Sequence, residues 1–569
     1  MKILLVHSDF IEYEPRKKAI SNAEEIEKRH FRIDDCLVVF CSSEEGDTDK
    51  VVGSTAGEIR NVAKQVETKR IVIYPFVHLT ASPSKPQVAL HLLKEIEKEL
   101  SKDYETFRAP FGWYKGFTLK CKGHPLSELS REIRESGVVK EAEKPKEQKK
   151  QPTSKIILDR RDLLPSDHRI LGEQLGIFHL SDDIGPGLPL WLPKGETLRN
   201  ILVQYMRQVE EQNGYKYVST PHITRGSMYE KTGHLPYYKD TMYAPVAIEE
   251  EEYYLKPMNC PHHHVIYSKL VESYRDLPLR LAEAGTTYRN ELSGVTYGLI
   301  RVRCFTQNDS HIYVMPDQLK DEFIKVLRLF KDVYDVMGIK DYWFRLSLPD
   351  FKTNPDKFTG DPKEWDHACE EIRKAMKEFG ANFVEETGEA AFYGPKIDVQ
   401  IKNAHDKEET IATSQVDIVV PKRLGLSYVD TGGNKKTPIV IHRAILGSYE
   451  RFVAYLLEQT EGRLPLWLAP VQVAVVSVTD RNIAAGEKLV AEMRKKGIRA
   501  ESDTRNHTLQ YKIREAELQK VPYILVIGDK EQEKGTVAVR KRDIKEVKFD
   551  VKPGDFISQL LKEIEAKNK

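Results

Sequence analysis

Residues 289–311 read RNELSGVTYGLIRVRCFTQNDSH. The flanking runs TTYRNEL and LIRVRCFTQNDSHIYV have the composition of two strands around the loop SGVTYG. Arg289 and Arg301 flank that loop. A guanidinium is a planar fork of donors that stays charged and matches phosphate oxygens. Two such forks on adjacent strands make a clamp for a triphosphate. Any nucleotide bound here needs one, because the sequence has no GxxxxGKS/T segment and no GxGxxG after a strand. Phe305 offers a ring face to a base. Gln307, Asp309 and His311 alternate, so on a strand they share one face. An amide, a carboxylate and an imidazole on one face suit a small polar substrate. Singly, each of these residues fits a solvated hairpin; the array as a whole favours a site.

Working outward, IHRAILGSYERF at 441–452 reads as a strand end followed by an amphipathic helix. Gly447 and Ser448 stand where a ligand or another backbone can approach closely, and Arg451 follows one turn later. Upstream, ETLRNILVQYMRQVEEQN (196–213) is a helix with Gly214 as its stop signal, and YKYVSTP runs as a strand into Pro221. These three pieces resemble the second, third and first signature motifs of class II aminoacyl-tRNA synthetases. With KPMNCPHHH (256–264), TGHLPYYKD (232–240), FTQNDSH (305–311) and AFYGPKID (391–398), the resemblance narrows to threonyl-tRNA synthetases of the archaeal type and covers essentially the whole chain.

At 569 residues the chain is too long for one ordinary core. Residues 1–137 alternate short apolar strands (KILLVH, CLVVF, IVIYPF, FTLKCK) with helical stretches (GEIRNVAKQVETK, PQVALHLLKEIEKEL), and HPLSELSREIR at 124–134 is read as a helix. A Lys/Glu/Pro-rich linker is expected over 138–158, a large block over 159–467, and a second small α/β block over 468–569. The fold expectation is a multidomain α/β and α+β chain. By resemblance it has a class II antiparallel-sheet core between an N-terminal deacylase-like editing domain and a C-terminal α/β anticodon-binding domain. Lys+Arg (88) nearly balance Asp+Glu (87), so RNA contact has to come from local patches. Scattered cysteines and the lack of a signal peptide or long apolar span lead to the expectation of a cytoplasmic protein without membrane contact.

The resemblance assigns roles residue by residue. Cys260, His311 and His442 match the zinc ligands of the family, one ion per subunit. Three protein ligands leave a coordination position open. A site that engages a hydroxyl rejects the isostere lacking it by roughly 10⁴–10⁵, which is how threonine is to be told from valine. Gln307, Asp309, Tyr393 and Gln415 complete the implied threonine pocket. Arg289, Glu291, Arg301, Phe305 and Arg451 are the implied ATP contacts, with Mg²⁺ on the triphosphate. Lys396 and His234 join the implied catalytic set. Serine differs from threonine by one methyl, worth only about 1–3 kcal/mol, so a hydrolytic second site is expected. His78, Tyr114, Lys115 and Glu128 fall at the family's editing positions, with Val77 where an alanine is usual. Asn506, Arg514, Glu531 and Arg540 match anticodon contacts. Cys304, Asn308 and the ETIAT run at 409–413 depart from the family's usual residues. The implied partners are threonine tRNA, ATP, L-threonine and a second copy of the chain in a homodimer. An inactive RNA-binding regulator predicts broken arginine and ligand positions, and these are intact. A serine-specific paralogue would destroy its own product at the editing positions.

Overall fold

The structure is a computed structural model that describes residues 1–20, 23–26, 30–80, 82–123, 126–134, 137–139, 163–233, 235, 239–353, 357–402 and 407–567. The chain divides into two compact units, Met1–Ser154 and Lys155–Lys569. Among the described residues, no helix is long and apolar enough to cross a membrane.

In the first unit the elements are β1 (Lys2–Lys18), β2 (Phe31–Ser42), α1 (Lys50–Gln65), β3 (Arg70–Pro75), α2 (Pro86–Leu100), β4 (Glu105–Arg108), β5 (Trp113–Cys121), β6 (Glu128–Arg134) and β7 (Gly137–Val139). The sheet order is β4-β3-β2-β1-β6-β7, with β5 also on β1. Opposite its edge with β2, the long β1 serves two partners: Lys2 to Val6 pair with β6, and Ser8 to Lys18 pair with β5. Alternation along β2 and β3 divides their apolar residues. Leu37, Val39, Ile71 and Ile73 pack under α1 and α2, whereas Val38, Phe40, Val72 and Tyr74 line the helix-free face.

Residues 128–134 correct the sequence reading, being a strand rather than a helix. Leu129 and Ile133 satisfy both a helical spacing and an alternating one. Pairing with the otherwise open side of β1, in the register Leu5↔Leu129, selects the strand, and Leu126, which would complete a helical stripe, is left exposed. The expected linker begins later than 138, because β7 runs to Val139; its remainder, to 158, lies outside the described residues.

In the second unit an eight-stranded sheet is built from β8 (Lys216–Tyr217), β9 (Leu279–Tyr288), β10 (Cys304–Val314), β11 (Tyr342–Leu348), β12 (Phe383–Thr387), β13 (Lys396–Lys402), β14 (Glu408–Asp417) and β15 (Ile439–Ser448). Its order is β8-β9-β10-β15-β14-β13-β11-β12. The central pairs β9·β10, β10·β15, β14·β15 and β13·β14 are antiparallel. Helices α3 (His168–Gln174), α4 (Pro193–Gln212), α5 (Cys260–Leu270), α6 (Leu319–Met337), α7 (Pro362–Phe379) and α8 (Tyr449–Thr460) accompany it. Leu202 and Met206 of α4, Phe323 and Phe330 of α6, Ile372 of α7 and Phe452 of α8 form one core with the sheet.

Beneath the sheet runs a buried polar network. Glu210 of α4 accepts from Arg443, from Tyr217 and, at 2.9 Å, from Asn308 Nδ2. Arg443 also lies over the Tyr215 ring at 4.3 Å. Asn308 and Arg443 alternate with the site residues of β10 and β15, so they project to the opposite face.

The chain ends in a five-stranded sheet made of β16 (Val473–Ser477), β17 (Ala500–Asp503), β18 (Tyr523–Ile527), β19 (Val537–Lys541) and β20 (Val547–Val551), in the order β17-β16-β18-β19-β20. Helices α9 (Ile483–Lys495) and α12 (Pro553–Glu565) pack on one side of it and α10 (Leu509–Leu518) on the other. The sequence reading did not anticipate β20 or the short helix α11 (Asp529–Lys534).

Candidate active site

Register builds the site. His311 on β10 is paired with His442 on β15, His442 with Gln415 on β14, and Gln415 with Lys396 on β13. Cross-strand partners share a face, so one row of chemistry crosses four strands. Asp309 and Gln307 continue it along β10, as their alternation requires, with a register shift between them.

Cys260 enters from outside the sheet, as the first residue of α5. Its ligand atom and those of His311 and His442 all lie within 4.8 Å of one another. Burial pushes the Cys260 thiol well up, and Asp309 and Asp417 nearby add to this. Burial also holds the His311 ring far below the usual imidazole range, helped by His442 and His263, so the ring is neutral and has a lone pair to offer. One thiol and two imidazoles around a common point suit zinc in donor type and number.

Around these atoms converge the residues that the resemblance assigns to a threonine pocket. Tyr393 O–H donates to Gln415 Oε1, and its ring lies 5.5 Å from that of His442. Asn259 Nδ2 donates to Asp309 Oδ2 at 2.9 Å, while burial raises the Asp309 carboxyl above its usual range. A substrate ammonium would offset that burial. Thr287 Oγ1 donates to Gln307 Oε1 at 3.3 Å. Lys396 pairs with Asp398 at 2.9 Å.

The arginines gather at one end of the row, although the sequence reading needs a correction here. Arg289 and Arg301 are not on strands; they lie in the connection between β9 and β10, where Arg289 N donates to Arg303 O at 2.9 Å. Arg289 covers the Phe305 ring at 5.1 Å, and Arg301 pairs with Glu291 at 2.9 Å. Arg451 donates to the carbonyls of Ile300 at 3.1 Å and Thr410 at 3.2 Å. Burial, together with the positive charges of Arg289 and Arg301, pulls the Arg451 guanidinium down from its usual range. Gly447 sits at φ +61, and a Cβ there would meet the Ile411 carbonyl at 2.2 Å; the close approach is made by backbone. His234 lies outside the described residues.

Sequence reasoning missed the groups behind the two histidines. His442 Nε2 lies 3.3 Å from Asp417 Oδ2, and His263 contacts His311. The helical spacing of His263 from Cys260 was the available signal. A second acidic-histidine cluster, Asp167–His168–Glu458, is already engaged. His168 Nδ1 bonds Glu458 at 2.7 Å, its Nε2 accepts from Leu299 N at 3.2 Å, and Arg169 holds Asp167 at 2.7 Å.

In the first unit, Lys115 Nζ stands 5.0 Å over the Tyr74 ring and donates to the carbonyls of Pro110 at 2.8 Å and Trp113 at 3.3 Å. Burial lowers its ammonium to about 8. A run of rings links it to His78: Tyr74–Phe40 at 5.2 Å, Phe40–Phe76 at 5.3 Å and Phe76–His78 at 5.4 Å. Glu128 is opposite Val6, on the same helix-free face. Tyr114 is 65% and Val77 53% exposed, so neither narrows an enclosed pocket. In the last sheet, Asn506 and Arg514 are exposed. Glu531 bonds Gly528 N at 3.0 Å, beyond the end of β18, whereas Arg540 pairs with Ile524 near the start of that strand. The sheet thus separates two of the four.

An antiparallel sheet with convergent polar residues on one face, and arginines on a strand connection and the following helix, defines a class II aminoacyl-tRNA synthetase core. Residues 243–460 match the class II core domain for G, H, P, S and T; residues 1–133 match the archaea-specific editing domain of threonyl-tRNA synthetase, and 472–563 an anticodon binding domain. The threonine–tRNA ligase of Bacillus velezensis is 47% identical over 376 residues, 66% of this chain and 58% of that protein. That of Listeria welshimeri is 45% identical over 402 residues, 70% and 62% of the two chains. The chain thus spans about three-fifths of the length of these curated relatives. Among solved structures, one described as the RNA binding domain of threonyl-tRNA synthetase from Cryptosporidium parvum is 34% identical, with a TM-score of 0.66, covering 70% of this chain and 98% of that one. A threonyl-tRNA synthetase ThrRS-1 from Aeropyrum pernix is 29% identical, with a TM-score of 0.62, covering 70% and 97%. This chain belongs to the threonyl-tRNA synthetase family.

Proposed function

We propose that this chain joins L-threonine to threonine tRNA through a threonyl-adenylate, and that its N-terminal domain hydrolyses seryl-tRNA. The observation that carries the reading is the meeting of Cys260, His311 and His442 beside Asp309, Tyr393 and Gln415. Zinc, when bound by these three ligands, supplies open positions for the threonine hydroxyl and amino groups. Asp309 receives the substrate ammonium, and Gln307, Tyr393 and Gln415 orient the side chain. The carboxylate then attacks the α-phosphate of Mg²⁺-bound ATP and pyrophosphate leaves. Arg289 balances charge at the α-phosphate, and Arg301 and Arg451 hold the remaining phosphates. This is catalysis by positioning and preorganised charge. For ATP to enter, Arg301 exchanges Glu291 for phosphate, and Glu291 and Phe305 become free for adenine. Lys396 and His234 are assigned supporting roles at the adenylate and the terminal ribose.

Serine also offers a hydroxyl and an amine, so charging errors are expected. In the editing reading Lys115 orients the seryl ester while His78, Tyr114 and Glu128 shape its surroundings. Asn506, Arg514, Glu531 and Arg540 are proposed to read the anticodon, the segments 1–137, 159–467 and 468–569 being the editing, catalytic and anticodon-binding domains. A homodimer in the cytoplasm completes the reading. Charging assays with threonine, serine and valine test it: threonyl-tRNA accumulates, valyl-tRNA does not, and seryl-tRNA appears only when Lys115 is replaced by alanine. Absence of threonyl-tRNA refutes it.

A further inference from the structure

We propose that His263 is a positioning residue for the metal centre: it connects the buried carboxylate of Glu283 to His311 and thereby dictates which His311 nitrogen faces the ion. The inference rests on the reading of Cys260, His311 and His442 as zinc ligands.

His263 lies on α5, three residues after Cys260, and its ring is fully buried. Its Nδ1 is 2.8 Å from Nδ1 of His311, and the two rings meet edge to face at 4.7 Å and 83°. Its other nitrogen, Nε2, is 3.2 Å from Glu283 Oε2. Glu283 sits on β9 directly opposite Asp309. It accepts from Thr220 N at 2.8 Å and Thr220 Oγ1 at 2.9 Å, and the Lys256 ammonium stands 3.7 Å away. Burial alone would raise its carboxyl, but the His263 bond and the Lys256 charge prevail and hold it below the usual range.

These contacts fix the order of protons. An ionised carboxylate has only lone pairs to offer, so His263 Nε2 carries the hydrogen facing Glu283. Where that is the ring's one hydrogen, Nδ1 is bare and accepts. The hydrogen between the two Nδ1 atoms therefore belongs to His311. With its Nδ1 protonated, neutral His311 keeps a lone pair on Nε2 alone, and that nitrogen is the metal ligand. The reverse order would place an N–H on His311 Nε2 and remove it as a ligand. A carboxylate acting through a second imidazole thus fixes the tautomer and ring orientation, as outer partners of metal-bound histidines do, and losing such a partner weakens metal binding by about 10–100-fold.

Zinc dissociation constants of the full chain, measured by competition with a chromophoric chelator, test this for wild type, His263→Leu, His263→Asn and Glu283→Gln. Wild type is expected to bind one zinc. His263→Leu binds it about 10–100-fold more weakly, while the zinc-free protein still melts in one cooperative transition. His263→Asn, whose side-chain carbonyl can accept from His311, recovers most of the affinity, and Glu283→Gln loses less than His263→Leu. The Co²⁺ absorption spectrum shifts in His263→Leu and returns in His263→Asn. Equal zinc affinity in His263→Leu and wild type overturns the proposal, as does an asparagine variant no better than leucine. If the leucine variant does not fold, wild-type affinity and spectrum in Glu283→Gln overturn it instead. Wild type that binds no zinc sinks the ligand reading itself, a result distinct from zinc-loaded variants that are indifferent to His263.

Discussion

The row on the large sheet and the helix-free face of the first unit hold their functional residues in opposite ways. His311 and His442 on the sheet and Cys260 at the start of α5 are buried or nearly so, and the two histidines are each backed by a further side chain. On the first unit's face, Phe117 beside the Tyr74 ring is 46% exposed, and the face joins Lys115 to His78 through intervening rings. In the proposed function the difference follows from two tasks. Telling a hydroxyl from a methyl needs donors preorganised in a dry site. A face that receives the ester end of a large RNA has to stay open, and its substrate completes the arrangement.

The largest expected effect breaks the first region outright. His442→Ala removes one of the three proposed zinc ligands, and threonine activation, followed by pyrophosphate exchange, is expected to fall on the order of 10⁴-fold together with discrimination against valine. Removal of zinc by a chelator has the same effect on wild type and is reversed by adding zinc. A result of less than tenfold would place threonine selection elsewhere.

Next in size is the network beneath the row. Glu210→Ala leaves Arg443 buried without its carboxylate, at a cost of about 3–5 kcal/mol, visible in thermal melting. Glu128→Ala on the open face changes stability by less than about 0.5 kcal/mol. Equal losses would erase the contrast between the two regions.

Titration sharpens the comparison further. Glu450, buried at the start of α8, has its carboxyl raised from 4.5 to about 7 by burial, against the opposing bond from Thr306 N at 2.9 Å. The folded chain keeps a proton that the unfolded chain loses between these values, so stability falls as pH rises through this window. Glu450→Gln removes that slope and is about 1–3 kcal/mol more stable at pH 8; a melt series across pH measures it.

Lys115 gives the opposite response. Its pKa is lowered from 10.5 to about 8 by burial. Between these values the unfolded chain binds more protons than the folded one, so stability rises with pH across that window. In the proposed editing role the ammonium form acts on seryl-tRNA, so its hydrolysis is expected to drop several-fold between pH 8 and pH 9, while Lys115→Arg gives a flat profile. A wild-type rate independent of pH would remove the charged lysine from editing.

Much of the catalytic half was legible because its signals are local. The alternation of Gln307, Asp309 and His311 assigns them to one face of a strand before any partner is known, and β10 bears this out. The helix at 124–134 was misread because Leu129 and Ile133 fit two periods equally, and only the open side of β1 decides between them. Asn259, Asp417, Glu283 and His263 went unseen because nothing in a linear spacing says which side chain stands behind a ligand.

The sequence by itself determined the kinds of donor: a thiol, imidazoles, carboxylates and a set of arginines with the periodicities that orient them. Tertiary structure decided their company. The pairing of β10 with β15 sets His311 against His442, and α5 delivers Cys260 to both. Burial then disfavours the charged form of His311 and makes the Asp309 carboxylate costly without a cation. Side-chain direction follows from a two-residue repeat, whereas proximity and dielectric depend on which distant segments share a core.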